Sequence, residues 1–279
     1  RRTFAAQDRY HLADLNPPAP HHPVISEVFD VQNTRWTHWT IHDNPIITEE
    51  RKQEIYETLK NSPYLLDRDW YGKRVMPQGV IYSMFDMNKH QIPTLLGEPY
   101  EMFFVADGGQ SDATSCSCNI VTRYKGKFRL NRVAHYYHSG AETGQVKAMS
   151  TYANELKAFM QWCIEKYEMQ YTHLFVDPAC KSLREELHKI GIATDRADNN
   201  QNDREGRNVG IEVGIERLKN SITNSQFFLI ENDEYDHYNF IKEVGMYVRD
   251  DNGKPVDAYN HALDEARYAN NYFYRRYVI

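Results

Sequence analysis

At 279 residues, 41% of them hydrophobic, with only 14 glycines and 11 prolines, the chain has room for one full domain plus a substantial second piece, and it is not disordered or fibrous. The formal net charge of −6, most of it in the second part of the chain, excludes nucleic-acid binding by bulk basicity, so any such contact must be local. Cys116, Cys118, Cys163 and Cys180 make no CxxC pair or disulfide framework, no apolar run nears the ~18 residues that span a bilayer, and Arg1-Arg2-Thr3-Phe4 lacks a signal-peptide core; a soluble intracellular protein without a membrane partner is expected.

Arg1, in place of an initiator Met, fits an internal position of a longer gene product and equally a processed terminus. Residues 16–23, with prolines at 17, 18, 20 and 23, predict a loop, because proline removes a backbone donor and restricts its predecessor. Thr48 to Lys60 opens on a capping threonine and sets Ile55 and Leu59 one turn apart, which predicts a short amphipathic helix. Gly72 to Pro99 reads as irregular, apart from a strand-prone run Gly79-Val80-Ile81-Tyr82. The domain boundary is placed near Leu96, dividing the chain into 1–95 and 96–279. Beyond it, Glu101–Ala106, Ser115–Tyr124 and Phe128–His138 predict a three-stranded meander, its last two strands joined at Lys125-Gly126-Lys127. A long helix over 145–168, a buried strand Tyr171–Val176, helices over 182–190 and 208–222, and a final helix from Val256 to Tyr274 follow. This is the element order of ribonuclease-H-like folds, an α/β architecture with a mixed central sheet flanked by helices.

Asp107 and Asp177 each end an apolar strand, in Phe104-Val105-Ala106-Asp107-Gly108-Gly109 and Phe175-Val176-Asp177-Pro178. Alone, either reads equally well as the start of a turn. If the two strands are neighbours, their carboxylates converge at a sheet rim, where α/β proteins place their sites. In the last helix Asp257, His261, Asp264 and Tyr268 fall at spacings of four, three and four, one polar stripe opposite Ala258, Ala262, Leu263, Ala266 and Ala269. Carboxylate oxygens suit Mg²⁺ or Mn²⁺, and two such ions about 3.5–4 Å apart can drive phosphodiester hydrolysis. In that reading Asp107 bridges two divalent ions, Asp177 and Asp264 hold one each, and His261 is a further ligand or a proton carrier.

Phe103 through Ser115 resembles the first acidic strand and glycine turn of tailed-phage large-terminase nuclease domains. Asn260-His261-Ala262-Leu263-Asp264-Glu265-Ala266-Arg267-Tyr268-Ala269 is similar to their terminal H-A-L-D-A-x-R-Y-A signature, departing at Glu265. Leu15-Asn16-Pro17-Pro18, Trp39 to Pro45 and Gly72 to Tyr82 look like the end of the packaging ATPase and its linker, which would make 1–95 the remnant of that domain. The resemblance implies a two-metal endonuclease that cuts concatemeric double-stranded viral DNA, with Asp107, Asp177 and Asp264 as an acidic triad and His261 beside it. It also implies a small terminase subunit and a portal protein as partners, and a place in the cytoplasm of the bacterial host, transiently at the procapsid portal. No G-x-x-x-x-G-K-[ST] phosphate loop occurs, so no ATPase activity is expected of this chain alone.

Arg123, Lys125, Lys127, Arg129 and Arg132 gather basic residues on one hairpin, and Arg204 and Arg207 flank a polar loop; both groups are candidate DNA contacts and equally ordinary solvated segments. His135 and His138, three apart in a strand, face opposite sides and cannot readily share an ion. Cys116 and Cys118 read as packing residues, and Asp112 as a turn residue. Two other functions use the same residues: a ribonuclease-H-like nuclease of resolvase or transposase type, or a non-catalytic packaging assembly subunit whose acids are structural.

Overall fold

The computed structural model describes residues 24–25, 35, 37–60, 66–75, 79–108, 113–199, 210–249, 253–256 and 260–278. The proline-rich stretch 16–23, Asp112, Arg204, Arg207 and Asp257 lie outside them. Contacts divide the chain into two compact units, Arg1–Gly79 and Val80–Ile279. In the first, helix α1 (Glu49–Leu59) starts where the sequence places it, the Thr48 hydroxyl accepting from the Arg51 N–H. Trp70 is buried in this unit, edge-on to His42 and Tyr56.

The second unit begins earlier than the Leu96 boundary, because Ile81, Tyr82 and Phe85 bury their side chains in its core beside Phe240, Val244 and Tyr247. The run from Gly79 to Tyr82 is not a strand: Val80 alone bridges to Val248, and a turn follows. The elements then run α2 (Met87–His90), β1 (Gln91–Ile92), β2 (Glu98–Gly108), β3 (Ala113–Tyr124), β4 (Lys127–Ser139), α3 (Gly140–Thr143), α4 (Met149–Tyr167), β5 (Tyr171–Val176) and α5 (Lys181–Lys189). After β6 (Asp195–Arg196) come α6 (Gly210–Thr223), β7 (Phe227–Ile230), α7 (Tyr238–Met246) and α8 (His261–Phe273).

One mixed sheet has the order β1-β7-β4-β3-β2-β5-β6. The antiparallel meander β2-β3-β4 forms its centre, and β5 and β7 add to it in parallel on either side. The β3–β4 loop is the two residues Lys125 and Gly126, both at positive φ (49° and 79°), as a tight hairpin turn requires. Alternation along β2 sends Met102, Phe104 and Ala106 into a core with α4 and α5, and Phe103 and Val105 into a second core with α6, α7 and α8. Burial of each large apolar side chain on these faces stabilises the fold by roughly 1.5–3 kcal/mol.

The last helix starts five residues later than the sequence suggests. Val256 is committed to extended pairing, its N–H donating to the Val248 carbonyl at 3.0 Å, and the helix opens after Asn260. The polar stripe on α8 is therefore His261, Asp264 and Tyr268.

Candidate metal centre

β2 and β5 are parallel neighbours with Ala106 opposite Val176, so the next residues, Asp107 and Asp177, stand side by side at the C-terminal ends of their strands. The Asp177 N–H extends the pairing by donating to the Ala106 carbonyl at 3.0 Å. Period-two alternation puts Asp107, like Val105, on the face covered by α8. From that helix His261 places Nδ1 3.2 Å from Asp107 Oδ2.

Asp177 is buried and firmly oriented. Its Oδ1 accepts from the Ala179 N–H at 2.6 Å, and its Oδ2 accepts from the Tyr268 hydroxyl at 2.7 Å and the Asn199 amide at 3.2 Å. Burial, together with the charges of Asp264 and Asp107, pushes the Tyr268 phenol far above its ordinary range, so it stays a donor. Cys180 closes the group: Asp107, Asp177 and Cys180 each offer an atom within 4.8 Å of the others. Burial, helped by both aspartates, pushes the Cys180 thiol up to about 12, and it donates to the Gly108 carbonyl at 2.6 Å.

Asp264 sits one helical turn after His261. Its Oδ1 accepts from Arg267 Nη2 at 3.0 Å, while Oδ2 has a long contact, 3.5 Å, with the Asn260 amide. Burial raises the Asp264 carboxyl above its ordinary range and the Asp107 charge adds to that, against the pull of Arg267 and His261. Arg267 also donates to the Asn199 carbonyl at 3.0 Å. Its stem runs past Gly214 of α6, where a Cβ would come within 2.9 Å of it, so a side chain there would displace the arginine that orients Asp264.

The structure thus brings Asp107, Asp177, Asp264 and His261 to one rim. Sequence reasoning assigned no site role to Cys180, Asn199 or Arg267; Arg267 carried a signal as the arginine of the terminal signature, and Cys180 as the residue three beyond a strand-end aspartate at a helix start. The basic hairpin is not part of this group. Asp107 is in register with Ser115 and Arg123 with Glu98, so the hairpin lies at the other end of the strands, roughly 30 Å away at ~3.3 Å per residue. There Arg123, Lys125 and Lys127 are exposed and Arg129 lies over Tyr124. Arg132 leaves the basic group altogether: it is fully buried, with Nη1 and Nη2 each 2.8 Å from a Glu265 oxygen. His135 and His138 do face opposite sides, His135 toward Ser115 and His138 toward Tyr152, and Cys116 and Cys118 are packed in the α4 core.

Hard-cation chemistry fits the donor set, which is mainly carboxylate oxygen. Asp264, lifted by burial and then by the Asp107 charge, is a carboxyl that a bound cation would relieve.

No protein-family model matches the sequence, and no curated protein matches it. Among solved structures, the chain is similar to the large terminase of a thermophilic bacteriophage, with 25% identity and a TM-score of 0.56 over 92% of this chain. It spans 61% of that terminase's length. The same terminase in complex with ADP gives the same identity and score. The P22 large terminase nuclease domain matches at 18% identity and a TM-score of 0.52, over 73% of this chain and 95% of that domain, which is a likeness of fold. The chain resembles phage large terminases over nearly its whole length, and its second unit has the ribonuclease-H-like fold of their nuclease domains.

Proposed function

We propose that this chain is the nuclease-bearing part of a packaging large terminase, an endonuclease that hydrolyses concatemeric double-stranded viral DNA with two Mg²⁺ or Mn²⁺ ions. The observation that supports it most is the pairing of Asp107 and Asp177 at adjacent parallel strand ends, with His261 and Asp264 brought over them by α8. Asp107, Asp177 and Asp264 would hold the ions, which when bound supply an activated water and neutralise charge on the phosphate.

The protein's own contribution is orientation. Tyr268, Asn199 and the Ala179 N–H fix Asp177, and Arg267 occupies one oxygen of Asp264 and so directs the other. His261 holds a ring nitrogen at Asp107 and is placed to take or give a proton there. The first unit, Arg1–Gly79, is on this reading the end of the packaging ATPase and its linker. Lacking a phosphate loop, the chain is not assigned ATP hydrolysis. Double-stranded DNA, a small terminase subunit and a portal protein are the proposed partners, met in the cytoplasm of the bacterial host. No helix among the described residues is long and apolar enough to cross a membrane.

Nicking of supercoiled plasmid in Mn²⁺, Mg²⁺ or EDTA tests the reading. Cutting is expected with either ion and not with EDTA, and Asp107→Ala or Asp264→Ala should lower it by roughly 10²- to 10³-fold while leaving the fold intact. A folded protein that neither cuts nor binds Mn²⁺ would make the acids structural and the chain an assembly subunit.

A further inference from the structure

The helix that carries His261 and Asp264 does not cap itself. Asn260, its N-cap residue, makes no side-chain cap, although the first N–H groups of any helix need acceptors. The acceptor comes from another helix. Glu243 of α7 reaches across, and its Oε2 takes the N–H of Ala262 at 2.8 Å and of Leu263 at 3.2 Å. Its Oε1 accepts from the Tyr137 hydroxyl of β4 at 3.0 Å. Glu243 is only 2% exposed, and Phe240 and Val244 beside it anchor α7 in the core.

We infer that Glu243 is a positioning residue for the candidate centre: it ties the first turn of α8 to β4 and α7, and thereby sets His261 against Asp107. The functional consequence rests on the nuclease reading above; the geometry does not. A cap from the helix's own sequence would move with α8, whereas one from α7, itself held by β4, fixes where α8 begins relative to the sheet. His261 is the first residue of that turn and Asp264 the fourth, so a shift of the helix start moves both. Burial pushes the Glu243 carboxyl up to about 7, while Tyr137, His261 and the two N–H groups draw it down. The bracket holds in either protonation state, since one oxygen serves both N–H groups.

That oxygen makes the idea separable from simple packing. Glu243→Gln keeps an acceptor of the same shape, whereas Glu243→Met keeps the volume and loses the acceptor. Ring resonances of His261, identified with His261→Gln, are recorded on the metal-free protein, and Mn²⁺ affinity is measured by calorimetry on the same samples. Glu243→Met is expected to move the His261 signal and weaken Mn²⁺ binding by roughly 10- to 100-fold, with Glu243→Gln close to wild type in both. A folded Glu243→Met with the wild-type His261 signal overturns the inference. Should that variant not fold, Tyr137→Phe, which releases Oε1 alone, decides on the same signal, and an unmoved resonance overturns it. If the wild-type protein binds no Mn²⁺, the nuclease reading falls, and the His261 resonance still decides the role of Glu243.

Discussion

Helices α4 and α8 pack on the two faces of one sheet by different means. α4 buries Tyr152, Ala153, Leu156, Phe159, Met160 and Cys163, with no carboxylate or imidazole among them. α8 buries Ala262, Leu263, Ala266, Ala269 and Phe273, but also Glu265, Arg267, Asn270 and Asn271. Glu265 meets Arg132 through two 2.8 Å contacts, accepts from Ser115 at 3.1 Å and is also bonded by Ser117. Apolar packing is non-directional and tolerates small slides, whereas a bidentate ion pair with two hydroxyl donors has one geometry. The helix without candidate ligands is glued; the one with them is indexed.

The contrast is broken most forcibly at Glu265. Glu265→Ala leaves the Arg132 guanidinium buried without a counter-charge and is expected to cost about 3–5 kcal/mol in urea unfolding. Replacing both partners, Arg132→Met with Glu265→Leu, should restore most of that stability, because two desolvated charges are removed together. Mn²⁺ affinity should not return with it, since the apolar pair no longer indexes α8. Full recovery of both properties would show that the ion pair has no role beyond packing.

A cut into the other face sharpens the contrast. Leu156→Ala in α4 removes a fully buried side chain and is expected to cost about 3 kcal/mol through lost burial and a residual cavity. Mn²⁺ affinity of the folded variant should stay at the wild-type value. If it falls as far as in the Glu265 variants, the two faces are not separable and general loosening explains both.

How much of this was legible in the sequence follows the same division. Strand β5 is legible to the residue because Leu174-Phe175-Val176 runs apolar up to Asp177, and α4 to about one turn at its start because long apolar periodicity sets it. Asp107 and Asp177 were found because each ends such a run. β7 and α7 went unread: the four apolar residues of β7, Phe227–Ile230, have no period to count. That gap hid Glu243. Glu265 was visible only as a departure from a resembled motif, and Arg132 looked like one more hairpin cation. Their pairing spans 133 positions, and no local pattern encodes such a partner.

The smallest expected effect concerns His237, the residue before α7. Its Nε2–H donates to the Ile230 carbonyl at 2.9 Å, and its Nδ1 is buried without a hydrogen-bond partner. A second proton would sit on that nitrogen with no acceptor; burial, and after it the Arg132 charge, press the imidazole down to about 3 from an ordinary 6.5. Acid therefore protonates His237 in the unfolded chain well before the folded one. The stability at stake is intact above pH 6.5 and is lost progressively as pH falls toward 3. From pH 6.5 to 5 the loss is about 2 kcal/mol, at ~1.4 kcal/mol per pH unit. Glu243, Glu265 and Asp264, whose carboxyls are raised, act in the opposite sense, so the quantity to measure is the difference between wild type and His237→Gln across that window. Wild type should lose about 2 kcal/mol relative to the variant. Amides of α7 should lose more hydrogen-exchange protection in wild type than in His237→Gln over that window, because the comparison isolates His237 from the carboxyls that act in the opposite sense. A constant offset between the two proteins from about pH 6.5 to 5, or equal α7 protection in both, would place the acid sensitivity elsewhere.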